Sequence, residues 1–193
     1  MPGGALRPWL AVTILAAATL PAARAATAWA TDPGRSRLEF TATQAGGEFE
    51  GRFKRFLPDI VFDPQDLAAS RFVVEIDTGS ADTLEKDRDA ALAGPEFFDV
   101  ARWPSARYEA SRFTKAGGDR FEALGKLTIR GITRDVRLAF TFSRSAGGRS
   151  ANLTGSTTIR RLDFGVGQGE WQDTRWLGND VGIRFDLALL EKE

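Results

Sequence analysis

The 193-residue sequence contains no cysteine and no histidine. Without cysteine, disulfides, thiolate chemistry, zinc–thiolate sites and iron–sulfur clusters are excluded, as is anchoring through an N-terminal lipidated thiol. Without histidine, the usual general base near neutral pH and the commonest metal ligand are missing. Ser-His-Asp triads, histidine-ligated haem and most zinc sites go with it, and no metal or cofactor is expected. Neither sign of charge is in excess, since 26 basic residues balance 26 acidic ones. A nucleic-acid binder carries a basic surplus or stripe, so none is expected as a partner.

A membrane-spanning run is lacking too. "WLAVTILAAATL", Trp9 to Leu20, is apolar but too short to cross a bilayer. Arg7 precedes it, and "PAARA" follows with small residues at Ala23 and Ala25, the pattern of a cleaved export signal. The expected division is therefore a leader over residues 1–25, with Ala28 as the alternative cleavage point, and one domain over 26–193. Losing Arg7 and Arg24 leaves 24 basic against 26 acidic residues in a soluble, periplasmic or secreted protein without a stable membrane anchor.

What is abundant is alternation. Leu38, Phe40 and Ala42 share one strand face, as do Phe49, Gly51 and Phe53. Phe72, Val74 and Ile76 follow, then Ala106, Tyr108 and Ala110. Phe121, Ala123, Gly125, Leu127 and Ile129 precede Val136, Leu138, Phe140 and Phe142. Leu153, Gly155, Thr157 and Ile159 lead to Val181, Ile183, Phe185, Leu187 and Leu189. Eight segments of period two predict half-buried antiparallel strands. "RGITR" and "SAGGRS" read as turns, and "DTLEKDRDAALAG" predicts one helix from about Asp82 to Gly94. Open edges invite aggregation, so eight such strands close into a barrel or split into a sandwich.

Small residues at Gly51, Ala110, Gly125 and Gly155 interrupt the apolar faces. They either relieve crowding or leave room inside. A barrel of this size is filled by side chains or holds one small ligand; pattern alone makes the filled core the default.

Five blocks carry a resemblance. They are "DPGRSRLEFTATQAGG", "GRFKRFLPDIVFDPQDLAASRFVVEID", "RDAALAGPEFFDVARWPSARYEAS", "GKLTIRGITRDVRL" and "RRLDFGVG". In this order they resemble the YceI-like family of polyisoprenoid-binding proteins over nearly the whole mature chain. The sequence departs from the family at Arg35, commonly histidine there, and at Asp135, often proline. The resemblance implies an all-β, eight-stranded antiparallel lipocalin-like barrel, with the short helical segment between the third and fourth of the eight segments. Its interior would take a long isoprenoid or fatty lipid as partner.

The implied lining is Phe40, Phe49, Phe53, Phe72, Val74, Ile76, Phe97, Phe98, Trp103, Tyr108, Leu127, Ile129, Leu138, Phe140, Phe142, Phe164, Ile183 and Phe185. Of the adjacent Phe97 and Phe98, one is expected inside and the other against the outside of the sheet. Trp103 is expected to begin a strand, and Trp171 and Trp176 to sit on a loop at a barrel end. Arg88 has two readings. Its fork of donors matches a pyrophosphate or carboxylate head group, or Arg88 and Asp89 anchor the helical segment. The second is preferred. Asp163 reads as a turn former.

Three classes of function follow: a carrier or buffer for an apolar chain, a carboxylate-pair hydrolase, and a surface-acting adhesion or inhibitor module. No carboxylate pair stands out and nothing speaks for the third. Burying even ten carbons supplies roughly 8 kcal/mol gross, at ~0.8 kcal/mol per CH₂, so the carrier is expected. Monomer and dimer remain open.

Overall fold

Arg130 and Gly131 both have positive φ, 51° and 72°, and they alone connect Ile129 to its strand partner Ile132. This two-residue loop has the backbone twist that matches flanking antiparallel strands, and similar local decisions set most of the fold. The computed structural model describes residues 26–193; the expected leader lies outside the described residues. The strands are β1 (Ala28–Thr31), β2 (Arg37–Gln44), β3 (Gly47–Phe53), β4 (Phe56–Val61), β5 (Arg71–Asp77) and β6 (Ala81–Asp82). After helix α1 (Lys86–Ala93) come β7 (Ser105–Gly117), β8 (Arg120–Ile129), β9 (Ile132–Arg144), β10 (Ser150–Arg160) and β11 (Asp180–Glu191). No helix among the described residues is long and apolar enough to cross a membrane.

All pairings are antiparallel, and they close a ring of eight: β1–β4–β5–β7–β8–β9–β10–β11 and back to β1. The expected eight-stranded barrel is present, with different membership. All eight predicted segments are strands, but β2 and β3 branch from the ring while the unpredicted β1 and β4 close it. The branch arises because β11 changes partner along one edge. Residues Gly182–Asp186 pair with β2, and Leu189–Glu191 pair with β1. β2 and β3, with β6 on their far edge, thus form an extra wall at one end of the barrel.

The period-two faces hold. Phe121, Ala123, Leu127 and Ile129 of β8 are buried, as are Val136, Leu138, Phe140 and Phe142 of β9. Helix α1 is shorter than expected, because Ala81 and Asp82 pair with β3 before it starts. The Glu85 carboxylate accepts from the backbone N–H groups of Asp87 and Arg88 and so caps the helix, whose last turn stops at Gly94.

Candidate ligand chamber

Wall glycines lie beneath aromatic rings. A β-carbon on Gly51 would stand 2.7 Å from Phe40 Cε1, one on Gly125 2.6 Å from Tyr108 Cζ, and one on Gly155 2.8 Å from Phe185 Cε1. The missing side chain lets each ring lie along the barrel wall instead of projecting across it. Both readings of the small residues therefore apply: crowding is relieved at the wall, and the middle of the lumen is left open.

The lumen divides into two unlike halves. One end is packed solid around Phe62, which is fully buried and surrounded by Phe72, Phe113, Phe121, Phe140 and Phe142 at centroid distances of 5.7, 5.7, 5.1, 5.3 and 4.9 Å. Edge-to-face geometry dominates, which adds to simple burial. Trp29 closes the cluster, its Nε1 donating to the Phe62 carbonyl at 3.0 Å. The other end holds a cavity of about 400 Å³ among Phe40, Phe49, Phe53, Phe97, Phe98, Ile129 and Trp171. A further space of about 100 Å³ continues inward among Phe72, Val74, Tyr108, Leu138, Leu153 and Phe185. Leu38, Ile76, Leu127, Ile159 and Ile183 border both, so the two adjoin along one apolar passage that reaches Phe72.

The wide end is covered by α1, the turn after it and the segment between β10 and β11. Phe98 N donates to the Leu92 carbonyl at 3.0 Å, coiling the chain back under the helix. On this tight turn both Phe97 and Phe98 face the chamber, which corrects the expectation that one would lie against the outside of the sheet. Adjacent residues point to opposite faces on a strand, but not on a turn. The Arg130 guanidinium fixes the turn by donating to the carbonyls of Pro95 and Phe97. Glu96 joins it to the other cover, accepting at its carbonyl from Gly167 and Gln168 N–H and at its carboxylate from Trp171 Nε1.

Arg161 organises that other cover. It is 4% exposed and borders the chamber, and it has no carboxylate partner among the described residues. Its Nε donates to Gly178, Nη1 to Val166, and Nη2 to both Trp171 and Leu177, all at backbone carbonyls. Burial pushes this guanidinium below the usual arginine range, and four carbonyl dipoles offset the cost of keeping it charged. One side chain thus gathers the whole 161–178 segment.

Arg88 and Asp89 separate. Asp89 accepts from the Thr83 N–H at 2.8 Å and from its hydroxyl at 2.7 Å, anchoring the helix as expected. Arg88 borders the chamber, its guanidinium 4.2 Å from the Phe49 ring centroid. Its Nε is buried with no hydrogen-bond partner among the described residues. An unmet buried donor of this kind costs ~1–3 kcal/mol.

The lining residues named from the sequence distribute along this axis. Phe40, Phe49, Phe53, Ile76, Phe97, Phe98, Leu127, Ile129 and Ile183 border the wide chamber. Phe72, Val74, Tyr108, Leu138 and Phe185 border the inner one. Phe140 and Phe142 belong to the packed end. Phe164 is buried beside Val166 without bordering either space. Trp103 precedes β7 instead of beginning it, and its ring covers the Gly131 turn. Of the loop tryptophans, Trp171 borders the chamber and Trp176 is 63% exposed. Asp163 sits in the expected turn, paired with Arg160 at 3.4 Å. Leu38, Ile159 and Arg161 are chamber residues that strand periodicity had marked only as buried, or not at all.

A second concavity, about 950 Å³, occupies the seam where β2–β3 diverge from β1 and β4. Its rim is polar, and Arg52 and Arg55 there are already paired with Asp82 and Asp77 at 3.0 and 2.8 Å. It lacks the apolar continuity of the barrel passage.

A family model described as YceI-like domain matches residues 29–189. A UPF0312 protein of Vibrio cholerae is 27% identical over 164 residues, covering 81% of this chain and 87% of the relative. BcnA of Burkholderia cenocepacia superposes with a TM-score of 0.79 at 32% identity, covering 82% of this chain and 99% of BcnA. A polyisoprenoid-binding domain from Saccharophagus degradans, implicated in plant cell wall breakdown, gives a TM-score of 0.66 at 14% identity, covering 86% and 99%.

Proposed function

This chain belongs to the YceI-like family, and on that footing we propose that it holds a long-chain isoprenoid or fatty lipid in its barrel, as an exported carrier or buffer. The observation that carries the reading is the apolar passage between Arg88 and Phe72, a volume within the range of small-molecule sites. The Saccharophagus domain is described as binding polyisoprenoids; at 14% identity it supports the fold, and the lipid reading rests on the passage itself. A chain lying there exchanges water for phenylalanine, leucine and isoleucine surface, at ~0.8 kcal/mol per buried CH₂ before ordering costs. The packed aromatic end makes the passage blind, so the tail points towards Phe72 and the head group stays near α1.

Binding rather than catalysis fits the chemistry of the site. Glu85 and Asp87 are the carboxylates bordering the chamber, and Glu85 is engaged in capping the helix. The test is extraction. Protein secreted by a bacterial host is purified, treated with mild solvent and analysed by mass spectrometry. An isoprenoid or fatty compound should be released and should rebind. An empty extract together with no rebinding would remove the carrier reading.

A further inference from the structure

Among the described residues the chamber lining is apolar except for Gln44 and four charged side chains: Glu85, Asp87, Arg88 and Arg161. Three of the charged four have evident occupations or exposures. Glu85 accepts two helix N–H groups, Asp87 is exposed, and Arg161 donates to four carbonyls. Arg88 differs. Among the described residues it has neither a carboxylate partner nor a hydrogen bond from its guanidinium, and its Nε is buried and unmet. The Phe49 ring holds the guanidinium plane at the chamber, an attraction that fixes a cation's position without using its in-plane donors. A pre-positioned fork with free donors suits a carboxylate or phosphate. Arg161, also without a carboxylate partner among the described residues, adds a second positive charge to the chamber lining from the other cover, where low dielectric makes charge more effective than in water.

We propose that the cargo carries an anionic head group, and that Arg88 receives it at the chamber mouth while the tail occupies the passage. The inference rests on the lipid-binding reading and adds the charge and orientation of the ligand to it. A fatty carboxylate and a prenyl phosphate share the required chemistry.

Two matched pairs test it by competition against a fluorescent lipid probe: hexadecanoate with hexadecanol, and farnesyl phosphate with farnesol. The anionic member of at least one pair should bind about tenfold tighter or more, the scale of one charge-assisted hydrogen bond. The pair showing the larger ratio identifies the head-group source. Arg88→Gln should collapse that ratio to about one while leaving the alcohol within about twofold, an affinity set by the apolar passage alone. Arg88→Lys should keep part of the preference, and Arg112→Gln, on the exposed face of β7, should leave it intact. Equal binding of acid and alcohol by the wild-type protein overturns the proposal, as does equal weakening of both by Arg88→Gln. In either case lipid binding itself stands. Binding of neither member overturns the carrier reading instead.

Discussion

Gly155 on β10 lies directly opposite Phe185 on β11, and the phenylalanine ring covers the glycine so closely that a β-carbon there would overlap it. The same β-carbon would also strike the Ala139 carbonyl of the neighbouring strand, so backbone as well as ring must give way. Gly155→Val should therefore push the Phe185 ring towards the inner chamber and strain the sheet. The expected cost is ~1–3 kcal/mol, the range for overpacking, read as a shifted urea midpoint. Lipid capacity should fall as well. Unchanged stability and unchanged binding would mean the ring is not held by the glycine.

Phe140 lies inside the packed end and borders neither stretch of the passage. It lies within 6.2 Å, centroid to centroid, of Phe62, Phe72, Phe113 and Phe121. Phe140→Ala should lose ~3–5 kcal/mol of stability, as for a large core truncation. Lipid affinity of the folded fraction should change far less. The paired measurement is chemical denaturation and a binding titration below the unfolding transition. A large affinity loss with small destabilisation would move the cargo into the aromatic end.

The sequence disclosed the inward faces but not the depth along the barrel. Period two places Phe140 and Leu127 on equivalent faces of neighbouring strands, yet one is in a solid cluster and the other borders the passage. What differs is Phe62, which arrives from just beyond β4 and fills one end from outside the strand pattern. β4 itself was obscured by Pro58, a residue that argues against a central strand. Pro58 is tolerated because β1 pairs only with Ile60 and Val61, leaving the Pro58 edge without a neighbour. β1 is four residues long, too short for alternation to register. Arg130 and Arg161 were illegible for another reason. Their partners are backbone carbonyls, of a distant turn for Arg130 and of its own following segment for Arg161, and no spacing in the sequence marks those. Arg88 was legible as a candidate because its two readings were both chemical.

Arg161 should be costly to remove. Arg161→Met keeps much of the apolar stem but strands the carbonyls of Val166, Trp171, Leu177 and Gly178. The expected loss is ~2–5 kcal/mol, since breaking a buried charge network leaves its partners unsatisfied. Hydrogen exchange should accelerate across residues 165–178 before it does in β8 and β9. Uniform acceleration throughout the barrel would contradict the organising role assigned to this side chain.

Tyr108, the only tyrosine, reports on the inner chamber. Burial pushes its phenol above the ordinary tyrosine range, and the hydroxyl donates to the Val136 carbonyl at 3.4 Å. The unfolded chain ionises near ~10, so the folded state holds a proton the unfolded state releases. Stability linked to this group is complete below that pH and declines as pH rises above it. Tyrosinate absorbance should therefore appear only above the ordinary range, together with unfolding. Reversible titration near ~10 in the folded protein would mean that water reaches the inner chamber freely.

Leu127 borders both stretches of the passage, which makes it the position at which filling the lumen tests the account most directly. Leu127→Trp adds bulk where the barrel has space, so the melting temperature should hold or rise. Calorimetric titration with hexadecanoate should show binding by the wild-type protein and at least about tenfold weaker binding by the variant, a loss equivalent to roughly 1.4 kcal/mol. Undiminished binding by a folded Leu127→Trp protein would contradict the claim that this passage is where the lipid lies.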